Sequence, residues 1–140
     1  MTAVLAAARP DEWNFPLLVH VAGAMILVGG LLTGASTLAF ARGDVRSLRL
    51  GYWALLAVGL PGLILMRVGA SWIYSKYEDV LPEGADDPGW VAIGMITADL
   101  GGLLFLISLV VGGIGVYRLR DDKGVGLLKA TMVLYVLIVV

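Results

Sequence analysis

The sequence predicts an all-α integral membrane protein, a four-helix bundle with its N-terminus outside. Three observations lead to this prediction: the composition, four apolar runs, and the charges placed between those runs. Of the 140 residues, 59% are hydrophobic and the mean hydropathy is +0.91, whereas soluble domains are about 45–50% apolar. A chain this short cannot bury that excess in one aqueous core, so a lipid solvent is expected.

The four apolar runs form one predicted transmembrane domain, 1–140. The predicted helices cover about residues 15–41, 50–74, 90–117 and 125–140. At about 1.5 Å of rise per residue, the first three can cross a hydrocarbon core of roughly 30 Å. The fourth rises only about 21 Å from Leu127 to Val140, so we expect the given sequence to stop before the natural C-terminus.

Local signals mark the ends and the middle of the first two runs. The first run contains no charge and begins beside Trp13 and Asn14, where an interfacial anchor is expected. The second run has Pro61-Gly62 near its middle, which predicts a kink or an open backbone carbonyl. Aromatic residues at its far end predict an interfacial belt, formed by Trp72, Tyr74 and Tyr77.

The connecting segments differ in charge, and this predicts the orientation. Lysine and arginine concentrate in the first and third loops, whereas the second loop holds Lys76 and the N-terminal tail Arg9. The residues of the two basic loops are Arg42, Arg46 and Arg49, then Arg118, Arg120 and Lys123. By the positive-inside rule these loops face the cytoplasm. The N-terminus, the long acidic loop 75–89 and the C-terminus then face outward.

Composition also excludes several classes of function. The net charge of −1 gives no basic field for nucleic acid. The chain has no cysteine, which excludes disulfides, thiolate metal sites and a cysteine nucleophile. A single histidine excludes a multi-histidine metal site within one chain. The remaining expected partner is the lipid bilayer.

Small residues at four-residue spacing predict close helix packing. One set is Gly30-xxx-Gly34 on the first helix, and the other is Gly94-xxx-Ala98-xxx-Gly102 on the third. Such spacing serves either packing within the chain or a face shared with another membrane protein. A homodimer or a larger membrane complex is therefore the alternative to intramolecular packing.

Three polar residues fall in one layer of the predicted bundle. Counted from the helix midpoints at about 1.5 Å per residue, His20 lies about 12 Å outward, and Arg67 and Asp99 about 8 Å outward. An unpaired charge there costs at least about 2.5 kcal/mol, so we expect an Arg67–Asp99 ion pair. The pair either fixes helix register or anchors a polar site, in which Arg67 binds an anion and Asp99 relays protons.

His20 has two interpretations. It is either a hydrogen-bonded packing residue or a ligand for copper or for haem b. Met95 is predicted at nearly the same depth and Met66 slightly deeper, and a histidine–methionine set suits Cu(I) or axial haem ligation. The candidate cofactor-binding residues are therefore His20, Met95, Met66 and Arg67. Two copies of His20 meeting across a homodimer are a further way to hold haem.

The stretch Leu17-Leu18-Val19-His20-Val21-Ala22-Gly23-Ala24-Met25, followed by Val28-Gly29-Gly30, resembles the opening helix of small bacterial membrane proteins related to the copper-resistance D membrane domain. The basic loop and the Pro-Gly-interrupted second helix fit that family too. The resemblance implies a four-helix inner-membrane bundle with copper handling or haem-linked chemistry. The four-helix membrane protoporphyrinogen oxidase is a related pattern. Only His20 carries over from it, because this chain lacks a second histidine.

Three functional hypotheses follow from these residues. The first is a non-enzymatic binding or accessory subunit with a polar pocket open to the outer face. The second is a haem- or copper-linked redox protein that uses His20. The third is a small transporter component that uses Arg67 and Asp99. No nucleophile–base arrangement is visible in the sequence, so we expect no enzymatic activity from the first class.

Overall fold

A computed structural model describes residues 11–80, 88–121 and 123–139. The described chain forms four helices and no strand, which confirms the predicted all-helical, four-helix fold. We name them α1 (Asn14–Phe40), α2 (Val45–Glu78), α3 (Gly89–Arg118) and α4 (Val125–Val139). Single 3₁₀ turns precede α1 at Asp11–Trp13 and follow α3 at Leu119–Asp121.

Three of the helices are long and apolar enough to cross a membrane. The qualifying stretches are Asp11–Phe40, Val45–Glu78 and Val91–Arg118. α4 is equally apolar but has only 15 residues, a rise of about 22 Å. The structure therefore has the composition of a multi-pass membrane protein, with one helix shorter than the other three.

α2 begins at Val45, about five residues before the predicted start, because Asp44 caps it. The Asp44 carboxylate accepts hydrogen bonds from the backbone N–H groups of Arg46 and Ser47 and from the Ser47 hydroxyl. These donors, the hydroxyl first, lower the pKa of the Asp44 carboxyl below its usual value. Arg42 and Gly43 turn the chain with positive φ angles of 46° and 89°. Arg46 and Arg49 thus lie on the first turns of a helix rather than in a loop.

The interruption predicted at Pro61 takes the form of a π turn. Residues Leu55–Gly59 are π-helical, and the N–H of Leu60 donates to the carbonyl of Leu55, one residue further back than in an α-helix. Pro61 has no N–H to donate, and it stands at the start of the next α-helical segment, Leu60–Glu78. The helical rod continues through the proline because the extra residue of the π turn accommodates it.

α1 and α2 pack backbone to backbone along a line of glycines. We call Gly23 and Gly30 of α1, with Gly62 and Gly69 of α2, the glycine seam. A Cβ atom on Gly62 would lie 2.8 Å from Leu27 Cα, and one on Gly30 would lie 2.8 Å from the nitrogen of Gly59. Close approach of this kind needs residues without side chains at the contact. Gly30-xxx-Gly34 thus serves packing within the chain.

The hydrophobic core occupies the half of the bundle nearest the basic loops. There α4 packs against both α1 and α3, and the fully buried side chains include Leu31, Leu55, Phe105, Leu128 and Tyr135. In the other half, α1 and α2 remain tightly paired, but α3 makes little backbone contact with either of them. The bundle is therefore close-packed at its basic end and open between α3 and the α1–α2 pair at its other end.

Candidate functional site

The open end of the bundle holds a cleft of about 540 Å³, within the range of small-molecule sites. Its walls come from the start of α1, the last turns of α2 and the first turns of α3. The lining residues are Trp13, His20, Arg67, Ala70, Ser71, Ile73, Tyr74, Tyr77, Val91, Gly94, Met95, Ala98 and Asp99. The three polar residues predicted to share one layer thus line a single cleft.

His20 is half-buried and is fixed by α2. Its Nδ1 atom lies 2.9 Å from the backbone carbonyl oxygen of Met66. Because a carbonyl oxygen only accepts hydrogen bonds, Nδ1 is the donor in this bond, and in the neutral form of an imidazole the other nitrogen, Nε2, has a lone pair. Gly69 makes this approach feasible, since a Cβ there would lie 2.6 Å from His20 Cα. His20 thus combines a packing role with a place in the wall of the cleft.

Arg67 and Asp99 form an ion pair across the cleft. Arg67 Nη2 lies 2.8 Å from Asp99 Oδ1, and the two side chains remain 50% and 67% exposed. The pair joins α2 to α3 where their backbones are apart. A guanidinium carries five N–H donors, so a single bond to Asp99 leaves others for a ligand. The pair can therefore both hold α3 in place and recognise a bound group.

The two candidate methionine ligands have different environments. Met95 is 52% exposed and lines the cleft. The side chain of Met66 packs against the hydrophobic core instead, and this residue reaches the site only through its carbonyl oxygen. Both methionines lie at nearly the same depth as His20, but their side chains point in different directions around the helix axes.

The N-terminal turn forms one rim of the cleft, a contribution that sequence reasoning missed. Trp13 lines the cleft, and its neighbours are tied to α2. Lys76 Nζ lies 3.0 Å from Glu12 Oε2, and the ring of Phe15 meets Trp72 edge-to-face at 5.7 Å. Glu12 and Lys76 carry opposite charge at the same end of the predicted bundle, which is the signal that could have revealed the contact.

The small residues of α3 border the cleft or open space. Gly94 and Ala98 line the cleft, and a Cβ on either Gly94 or Gly102 would meet no atom within 4 Å. Within the described residues, this glycine motif therefore makes no close helix contact. Its effect at Gly94 is to widen the cleft on the α3 side.

The donor set of the cleft bears on metal and cofactor binding. Among the residues that the structure describes, no three His, Cys, Asp or Glu side chains gather into a group that could hold a metal ion. The cleft offers one imidazole nitrogen, from His20, and one thioether, from Met95. With Arg67 for a propionate and aromatic walls for a flat macrocycle, this set fits haem better than a copper ion.

Comparison with known protein families, curated proteins and solved structures finds no match to this chain. The resemblance of the first helix to the copper-resistance D membrane domain therefore stays a prediction. What the fold defines is a class: an all-helical bundle with three apolar helices of membrane-spanning length and a cleft at one end.

Proposed function

We propose that this chain is a multi-pass inner-membrane protein that binds an amphipathic small molecule without transforming it. Its N-terminus and cleft face outward, and its basic loops face the cytoplasm. One observation carries the proposal: a cleft with apolar and aromatic walls brings together His20, Arg67 and Asp99. Small-molecule sites combine such walls with a few placed polar groups.

Charge and position support the outward orientation. The two basic loops lie at the close-packed end of the bundle, and the cleft lies at the opposite end beside Trp13, Trp72 and Tyr77. Aromatic side chains at this level suit the boundary between lipid and water. A ligand head can then reach Arg67 and His20 from the outer side while its apolar part stays between α2 and α3.

Single cysteines test both the orientation and the site, because the 140-residue sequence contains none. Val80→Cys lies at the cleft end, Val45→Cys at the basic end, and Ser71→Cys in the cleft wall. On intact cells, a membrane-impermeant maleimide should label Val80→Cys and spare Val45→Cys until the cells are opened. In the purified protein, lipid extract from the expression host at about ten times its Kd should slow labelling of Ser71→Cys about tenfold.

Val80→Cys serves as the matched control in the purified protein, and its labelling rate should not change when lipid extract is added. The opposite labelling pattern on intact cells would overturn the orientation. Equal labelling of Ser71→Cys with and without lipid extract would overturn the binding function.

The hydrogen bond between His20 and Met66 favours a second candidate, a haem-linked redox protein. Histidines that bind iron or other metals usually donate their second ring nitrogen to a carbonyl or carboxylate, and His20 makes that bond. His20 and Met95 would hold the iron, and Arg67 would pair with a propionate. Haem bound there would supply one-electron chemistry. A homodimer that supplies His20 from each copy is the alternative ligand set.

Spectroscopy tests this second candidate. Purified protein expressed with added haem precursor should show a Soret band that His20→Phe removes. Met95→Leu should shift the band if methionine is the other ligand and leave it in place if two His20 residues share the iron. Met25→Leu is the control, since Met25 is exposed on α1 and does not line the cleft. A protein without a Soret band and without bound copper, after both were supplied, would rule out this redox function.

A further inference from the structure

We propose that the cleft binds lipid-soluble hydroquinones and prefers them to the corresponding quinones. This inference rests on the proposed binding function and names the chemical class of the ligand. It comes from the hydrogen-bonding polarity of the two groups that face the cleft from α1 and α2, namely His20 and Arg67.

His20 presents an acceptor to the cleft. Its Nδ1–H donates to the Met66 carbonyl at 2.9 Å. Because His20 lines the cleft, the nitrogen left for a ligand is Nε2, which in a neutral imidazole can only accept. The tight contact between Gly69 and the His20 backbone keeps the ring beside that carbonyl. A ligand that pairs with His20 must therefore bring an O–H or N–H group. A quinone carbonyl or an ionised carboxylate offers no proton for this bond.

Arg67 presents donors. Arg67 Nη2 donates a hydrogen bond to Asp99 Oδ1 at 2.8 Å, and the other N–H groups of the guanidinium can donate to a ligand. The ligand must therefore carry an oxygen acceptor on the side away from its hydroxyl donor. A hydroquinone has two ring oxygens, one to donate to His20 and one to accept from Arg67. A fatty acid satisfies Arg67 alone, and a fatty alcohol offers a single oxygen for both positions.

The walls of the cleft suit a flat ring. Trp13, Tyr74 and Tyr77 supply aromatic surface, and Met95 supplies a polarisable thioether that packs well against ring edges. The absent side chain of Gly94 leaves open space on the α3 side. A hydrophobic tail can leave toward lipid between α2 and α3, whose backbones are apart at this level.

Binding titrations of the full chain in detergent test this inference under anaerobic conditions. The probes are a short-chain benzoquinol, the matching benzoquinone, and the dimethyl ether of the quinol. Quenching of tryptophan fluorescence measures the binding of each probe. The quinol should bind about tenfold more tightly than either other probe, the effect of losing one hydrogen bond to His20. His20→Phe should remove this preference, and Arg67→Gln should weaken the binding of all three probes. Met25→Leu should change none of them.

The outcomes separate this inference from the binding function beneath it. Equal affinity for quinol and quinone, or a preference that survives in His20→Phe, would overturn the inference. If lipid extract protects Ser71→Cys but the quinol neither binds nor competes, the binding function stands and the hydroquinone assignment is wrong. If neither protects that cysteine, both are wrong.

Discussion

Gly62→Ala is expected to lower the free energy of unfolding by about 3 kcal/mol, the upper end of the usual cost of overpacking. The added methyl group would lie 2.8 Å from Leu27 Cα and 3.0 Å from the carbonyl oxygen of Gly23. Both are backbone atoms of α1, which cannot turn away as a side chain can. The two helices must separate, and the whole glycine seam separates with them. Unfolding of the detergent-solubilised protein, followed by circular dichroism, measures the change.

Gly29→Ala is the matched control for this prediction. Gly29 lies on α1 next to the glycine seam, but a Cβ there meets no atom within 4 Å. Alanine is also the better helix former by about 1 kcal/mol, so this variant should be as stable as the natural chain or more so. Equal stability of Gly62→Ala and Gly29→Ala would contradict the backbone contact between α1 and α2.

The Arg67–Asp99 pair gives the second large effect. Arg67→Leu or Asp99→Leu alone leaves the other charge without its partner, and each should lower the free energy of unfolding by up to about 2.5 kcal/mol. The double variant removes both charges and should recover most of that loss, because α3 is then held by apolar contact. A double-mutant cycle in the same unfolding assay isolates this coupling.

Ligand binding separates the two roles of the pair. The double variant should be stable but should bind the amphipathic small molecule poorly, because the guanidinium of Arg67 is gone. If the double variant is as unstable as the two single losses added together, the two charges are not coupled. If it is stable and binds normally, the pair only sets the position of α3.

A transporter that uses these residues would lose a measured flux in Asp99→Asn while keeping its fold.

Much of the fold could be predicted because each long helix is a continuous apolar run. The shared layer of His20, Arg67 and Asp99 could be predicted as well, since depth along a helix follows from the number of residues. The direction in which a side chain points around the helix axis does not follow from the number of residues alone. Met95 turned toward the cleft and Met66 toward the core, although their depths are nearly the same.

Other features depended on contacts that no local pattern encodes. The start of α2 at Val45 depends on a cap by Asp44 within a segment that looks like a charged loop. The rim formed by the N-terminal turn depends on Lys76, far away in the sequence. The open space at Gly94 exists because no neighbouring element of the described chain packs against it. The spacing of small residues indicates only that close packing is feasible.

The π turn at Leu55–Gly59 has a consequence for the site ten residues further along the chain. One residue inserted into an α-helix rotates everything beyond it by about 100° relative to everything before it. That offset lets one continuous rod point Leu55 at the core of the basic half and Arg67 at α3 in the other half. Without the extra residue, Arg67 would turn away from Asp99. The direction of Arg67 is therefore set outside the cleft, by an apolar stretch that does not line it.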